Sequence, residues 1–216
     1  MAVATWWHGD SLPQLPPLPG FDAALTDNVP LAARLAQLNE QEVQTRMDGG
    51  HRLYVASLRE IPISYGWVAT RNASIGKLGI TFQLPTKNLY LWDFATLPTW
   101  RGYGVYPQLL QVILKQEASS GDRFWIIYAP ENHASERGIH KAGMSPVAEL
   151  SFAVKGGAGL VPFAEIARAQ TWADVVNIPL LPAQQSDMLA PCWSCGVNGK
   201  NAFCWSSDHR SSCTCV

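Results

Sequence analysis

Residues 99–110 read "TWRGYGVYPQLL", and the fold turns on this stretch. Before it lies an apolar run, "LYLWDFATL" (89–97), with the composition of a buried strand. After it, Val105, Leu109, Val112 and Ile113 are spaced for one buried face of a helix over 105–118. Gly102 and Gly104 weaken either element, so two glycines at the junction imply a backbone shaped for close approach to something. Successive amides in such a loop point toward one spot, and the helix N-terminus adds partial positive charge. Arg101 supplies a permanent cation and a planar donor fork suited to phosphate. Pro107 costs little in the first helical turn, where amide hydrogens have no intrahelical partner. Strand, loop and helix together form a cradle for a pyrophosphate. An isolated Gly-x-Gly would read more readily as a plain turn.

Upstream, residues 12–20 ("LPQLPPLPG") are proline-rich and read as an extended lead-in. From Asn28 to Met47 the pattern is helical, with Asp27 or Asn28 as cap, Pro30 in the first turn and Leu31, Leu35 and Leu38 on one face. Gly49 and Gly50 end it. Four strand-like runs follow at 52–58, 61–70, 78–84 and 89–97, with short separators that predict an antiparallel meander. Downstream of the helix come a strand at 124–129, a helix at 133–142 and a strand at 146–154. Helix over 162–172 and strand over 175–181 complete the reading. Helices, four strands, helix, strand, helix, strand is neither all-β nor regular βαβ alternation, so the fold class is α+β or mixed α/β. The expected organisation is an N-terminal lead-in (1–27), a main domain (28–180), and a linker with a cysteine-rich tail (181–216).

Arg101-Gly102-Tyr103-Gly104-Val105-Tyr106 resembles the acetyl-CoA pyrophosphate loop of the GNAT superfamily of N-acetyltransferases, Q/R-x-x-G-x-G/A. Arg101 and Gly104 match; Tyr106 stands where the motif has a small residue. "ENHASERGIHKAGM" (131–144) is similar to the superfamily's next segment, with Asn132, Ser135, Lys141 and Gly143 matching and Met144 in place of an aromatic. The resemblance covers roughly residues 28–155. It implies a central, mostly antiparallel sheet with a splayed parallel strand pair, flanked by helices, whose slot takes the pantetheine arm of acetyl-CoA. Backbone groups near Leu97 would pair with that arm. Amides of Gly102, Tyr103, Gly104, Val105 and Tyr106 would bind the pyrophosphate, and Asn132 and Ser135 would line the other wall. The implied reaction is direct attack of a substrate amine on the thioester.

That reaction needs a way to remove a proton. On a regular strand Asp93 shares a face with Leu91, Ala95 and Leu97, and a carboxylate among apolar neighbours has its pKa raised toward what a general base requires. Asp93 is therefore the expected catalytic base, with a carboxylate bonded to a loop as the structural alternative. The tyrosine that many superfamily members carry seven residues after the asparagine is Ile139 here. Tyr128, His133 and His140 are the nearby substitutes, each with an ordinary structural reading. The tryptophans are mostly core candidates, and Trp67 and Trp100 are also placed to wall an acceptor pocket.

The formal charge of −1 lacks the basic excess of a nucleic-acid binder, and no apolar run reaches the ~20 residues of a membrane span. The first residues lack a signal-peptide pattern, so a cytoplasmic location is expected. All five cysteines lie between Cys192 and Cys215. Cys192-x-x-Cys195 has the spacing of a metal knuckle, and Cys204 with either Cys213 or His209 completes the expected set for one zinc ion, with Cys215 left over. The leading expectation is an acyl-CoA-dependent N-acyltransferase acting on a small-molecule or peptide amine. The alternatives are a non-catalytic acyl-CoA-binding module with a metal-binding tail, and a leader domain for a modified Cys/Ser/Thr-rich peptide.

Overall fold

The structure, a computed structural model, describes residues 1–153, 158–181, 188–191 and 205–206. In chain order the first half carries β1 (Ala2–Trp7), β2 (Phe21–Thr26), α1 (Val29–Ala36), α2 (Glu40–Asp48), β3 (His51–Leu58) and β4 (Ile61–Ala69). Next come β5 (Asn72–Ile75), β6 (Ile80–Gln83), β7 (Asn88–Thr96), α3 (Val105–Gln116), β8 (Arg123–Tyr128) and α4 (His133–Lys141). The last elements are β9 (Ser145–Ala153), β10 (Ala158–Pro162), α5 (Ile166–Val176), β11 (Met188–Pro191) and β12 (Trp205–Ser206). The chain divides into two units, one of Trp6–Ile126 with Gly138–Met144, the other of Met1–Thr5, Ile127–Arg137 and Ser145–Val216.

The first of these units is built on strands in the order β2, β3, β4, β7, β8. β2, β3, β4 and β7 pair antiparallel, whereas β7 and β8 run parallel with Asn88 opposite Arg123 and Leu91 opposite Ile126. The β3–β4 hairpin closes through Arg59 and Glu60, both at positive φ (50° and 67°), the backbone of a two-residue turn matched to strand twist. The parallel ladder ends at Leu91 and Ile126 while β7 continues to Thr96. This mixed arrangement agrees with the fold class read from the sequence.

Helices cover both faces of that sheet. On one, Ala32 and Val43 of α1 and α2 pack with Leu53, Val55, Tyr65 and Trp67. On the other, α3 buries Leu109, Leu110, Ile113 and Leu114 completely. Near the C-terminal end of α3 the buried Glu117 accepts from the Tyr54 hydroxyl at 2.8 Å and pairs with Arg52. Burial and this bond push the Tyr54 pKa well up, so the phenol stays a donor. The proline-rich lead-in lies along α3: Gln111 and Gln108 donate to the Pro13 and Pro16 carbonyls at 2.8 and 2.9 Å.

Several expectations are corrected. The helix expected over 28–47 is two: α1 stops at Gln37 (φ 55°), and Asn39 opens α2 with a capping box to Glu42. Asn28 does cap α1, its side chain accepting from Leu31 N–H at 3.0 Å. The lead-in carries β1 and β2, whose short apolar runs lack long alternation. Residues 78–84 leave the meander, because β6 pairs only with β5 in a separate two-stranded sheet.

In the other unit, β9 pairs antiparallel with the first residues of β1 (Ala2 opposite Glu149) and with β10 and β11. α5 packs on β9 and β10 through buried Ala169, Trp172, Ala173 and Val176. Residues 175–181, expected as a strand, hold the end of α5 and a single bridge from Leu180 to Leu160. No helix among the described residues is long and apolar enough to cross a membrane.

Candidate functional site

Between β7 and α3 the chain makes one 3₁₀ turn, Pro98–Trp100, and then the glycine loop. Gly102 and Gly104 both take positive φ (85° and 81°), on either side of Tyr103. Left-handed residues alternating with right-handed ones are the backbone pattern of concave nests, in which successive N–H groups bind anions. A Cβ built on either glycine meets no atom within 4 Å, so the space in front of the loop is open. No backbone hydrogen bond among the described residues uses the amides of Gly102, Tyr103, Gly104 or Val105. Gly104 caps α3 without a side-chain bond, which leaves the positive end of the helix facing the same space.

Three residues around the loop are engaged within the chain. Arg101 donates from Nε to the Thr96 carbonyl at 3.0 Å, so one edge of its fork clamps the end of β7 instead of reaching outward. Leu97 donates its N–H to Ile63 at 2.9 Å and accepts from Trp100 N–H at 2.8 Å. Both backbone groups of Leu97, just past the end of β7, are thus bonded within the chain. Tyr106 fits where a small residue was expected because Gly138 lies beneath its ring: a Cβ at Gly138 would stand 2.4 Å from Tyr106 Cδ1. The other side of Tyr106 meets Phe94, ring centroids 5.5 Å apart.

Asp93 does not lie among apolar neighbours. β7 carries a bulge where Trp92 faces Trp67 and Ala95 faces Tyr65, and Asp93 within it has φ 49°. The bulge breaks the alternation assumed for this strand, and the carboxylate, 32% exposed, ends beside α2. Arg46 meets its Oδ2 at 2.5 Å, and the Tyr65 hydroxyl donates to Oδ1 at 3.3 Å. Its expected role as a base rests on a purely apolar setting, whereas here the carboxylate is ion-paired and partly exposed beside aromatic residues. Burial and the neighbouring carboxylate push the Tyr65 pKa up to about 12, so this phenol remains a proton donor.

The same spot gathers residues that sequence spacing does not connect. The Arg46 guanidinium lies 4.6 Å from the Trp92 ring centre and 5.2 Å from that of Trp67. Trp92 donates its indole N–H to Nδ1 of His51 at 3.0 Å, which fixes the ring. Trp67 is fully buried, and its indole nitrogen has no partner among the described residues. Tyr65 and Trp67, two apart on β4, share a face, which is the signal a sequence reading had available.

His51 must be neutral at Nδ1 to accept from Trp92. Burial, and then the positive Arg46, lower its pKa from 6.5. A lowered folded pKa contributes stability that is fully present above the unfolded value and lost as pH falls through the folded one. Melting temperature should therefore drop between pH 7 and pH 5, and the drop should be smaller in His51→Gln, whose amide oxygen accepts without titrating. Thermal melts of both proteins across that range check this; equal slopes would contradict it.

Asn132 and Ser135 belong to the other unit, where Asn132 Oδ1 accepts from Ser135 N–H at 3.1 Å and caps α4. Tyr128 is buried on β8, His140 is exposed, and His133 meets Glu136 at 3.5 Å. Cys192, Cys195, Cys204, His209, Cys213 and Cys215 lie outside the described residues. Among the described residues no group of three or more His, Cys, Asp or Glu is placed to hold a metal.

No protein-family model and no curated protein sequence matches the chain. Solved structures do. A GCN5-related N-acetyltransferase from Kribbella flavida is 15% identical over 67% of this chain and 53% of its own, with a TM-score of 0.43. The ribosomal-protein-S18-alanine N-acetyltransferase of Escherichia coli is 12% identical over 64% of this chain and 88% of its own, TM-score 0.47. The Salmonella typhimurium protein yncA, solved with its cofactor acetyl-CoA, is 12% identical over 63% of this chain and 85% of its own, TM-score 0.45. The chain thus spans about half the length of the Kribbella protein. At these levels of likeness the activities of those proteins do not carry over to this chain.

Proposed function

We propose that this protein is an acyl-CoA-dependent N-acyltransferase that uses acetyl-CoA and acetylates an amine. The observation that carries the reading is the glycine loop: two left-handed glycines, unengaged amides and an uncapped helix N-terminus around open space. A pyrophosphate supplies the negative charge and multiple acceptors that such a loop lacks. The two NH₂ groups of Arg101 stay available for charge-assisted bonds to the phosphates, since only its Nε is engaged among the described residues.

Binding the pyrophosphate there would lay the pantetheine arm along β7 past Leu91, where the parallel ladder has ended. The thioester would then lie near the β7 bulge. Chemistry at that point consists of amine attack on the carbonyl, collapse of the tetrahedral intermediate and loss of the CoA thiolate. Positioning contributes most of the acceleration, because a thiolate leaves readily. The acceptor is a small-molecule or peptide amine, and zinc on the C-terminal cysteines remains a reading of their spacing alone.

Release of free thiol from acetyl-CoA, measured against a panel of amines, tests the reading. Amine-dependent release is expected. CoA binding without any transfer would favour the non-catalytic module.

A further inference from the structure

The cluster around Arg46 has the composition of a cation-binding cage. Two indole rings and a carboxylate enclose one guanidinium, and the Tyr65 hydroxyl and the neutral His51 hold the carboxylate and the Trp92 ring in place. Aromatic faces with a nearby carboxylate are how proteins recognise organic cations. The walls come from β3, β4 and β7, whereas the occupant comes from the last turn of α2. Asp93 takes a left-handed backbone conformation within the bulge that presents its carboxylate here.

Arg46 also has somewhere else to go. An open depression of about 520 Å³ lies beside it, lined by Asn39, Gln41, Glu42, Thr45 and Arg46 itself. Glu42 stands one turn earlier on α2, in the favourable order for an i,i+4 pair with Arg46. Its Oε2 accepts from the Asn39 N–H, which leaves the second carboxylate oxygen for a guanidinium. Arg46 is 22% exposed, so the cage reaches solvent through its occupant.

We infer that Trp67, Trp92, Tyr65 and Asp93 form the binding site for a protonated amine of the acceptor, and that Arg46 is a built-in stand-in which the acceptor displaces. A nitrogen held against a carboxylate and two π faces keeps its proton, and a protonated nitrogen has no lone pair to attack a thioester. The attacking nitrogen must therefore be a second one. The acceptor class is a small diamine, anchored by one ammonium while the other nitrogen, as the free base, forms the new C–N bond. The carbonyl–sulfur bond breaks, the CoA thiolate leaves, and the amine's surplus proton passes to water. This last step rests on the acyltransferase reading; occupation of the cage does not.

Calorimetric titration of the full chain with 1,5-diaminopentane, without CoA, tests the cage. Arg46→Gln should bind the diamine roughly tenfold more tightly than wild type, because no cation has to be displaced. In that background Asp93→Asn or Trp92→Leu should weaken binding roughly tenfold or more. Melting curves confirm that each variant is folded. Folded Arg46→Gln that binds no diamine, or binds it with the wild-type constant, would overturn the inference. So would an affinity indifferent to Asp93→Asn. A chain that binds the diamine but shows no heat with acetyl-CoA would leave the cage standing and remove the transfer step, which separates the two failures.

Discussion

Gly104→Val should bind acetyl-CoA roughly a hundredfold more weakly than wild type, the loss of several charge-assisted bonds to phosphate. A Cβ at Gly104 meets no atom beyond its chain neighbours within 4 Å, so the valine would project into the space proposed for the pyrophosphate. The same change strains the backbone, because Gly104 has φ 81°. Strain of about 1–2 kcal/mol is expected for an L side chain in that region. Gly9→Val supplies the control: Gly9 has φ 99° and equally open surroundings, but stands outside the loop. Both variants should lose comparable melting temperature, and only Gly104→Val should lose CoA. Calorimetry and thermal melts separate the two effects. Equal CoA affinity in all three proteins would remove the loop from the account.

The second large effect is expected at Gly66, on the opposite face of β4 from Trp67. A Cβ there would stand 2.0, 2.2 and 2.6 Å from three ring atoms of Phe94. No relaxation smaller than moving that ring accommodates it. Overpacking of this kind costs about 1–3 kcal/mol. Phe94 has little room to retreat, since it leans on Tyr106, and Tyr106 lies over Gly138. Tyr106 is the second residue of α3, so displacement would pass to the helix end that shapes the glycine loop. Gly66→Ala should therefore lower both melting temperature and CoA affinity. Adding Phe94→Leu should restore part of each, because the shorter side chain vacates the space over residue 66. Unchanged stability in Gly66→Ala would show that the ring moves freely and that this stack does not support the loop.

The loop and its flanking elements were legible in the sequence because every cue there is local. Gly102 and Gly104 mark left-handed backbone, and the apolar run before them and the 3.6-residue period after them define the strand and α3. The break between α1 and α2 was missed because the apolar positions Leu35 and Leu38 stay in helical phase across it. Only the Asn39 and Glu42 pair signalled a new start. The β7 bulge was invisible for a different reason. A period-2 reading assumes a regular strand, and nothing in "LWDFA" announces that Asp93 steps out of register. The cation cage could not be read at all as a unit. Arg46 and Asp93 are 47 residues apart, and the two meet only because α2 crosses the sheet face that β4 and β7 share. The sequence offers Trp67 as a wall of an acceptor pocket, but its partners depend on tertiary packing.

The central claim, that the 101–106 loop receives the pyrophosphate of acyl-CoA, is tested most directly by amide chemical shifts. Backbone N–H resonances of Gly102, Tyr103, Gly104 and Val105 would be followed in two titrations, one with acetyl-CoA and one with pantetheine, which lacks the pyrophosphate. Large shifts at these four amides are expected with acetyl-CoA and none with pantetheine. Acetyl-CoA binding that leaves them unmoved would contradict the claim.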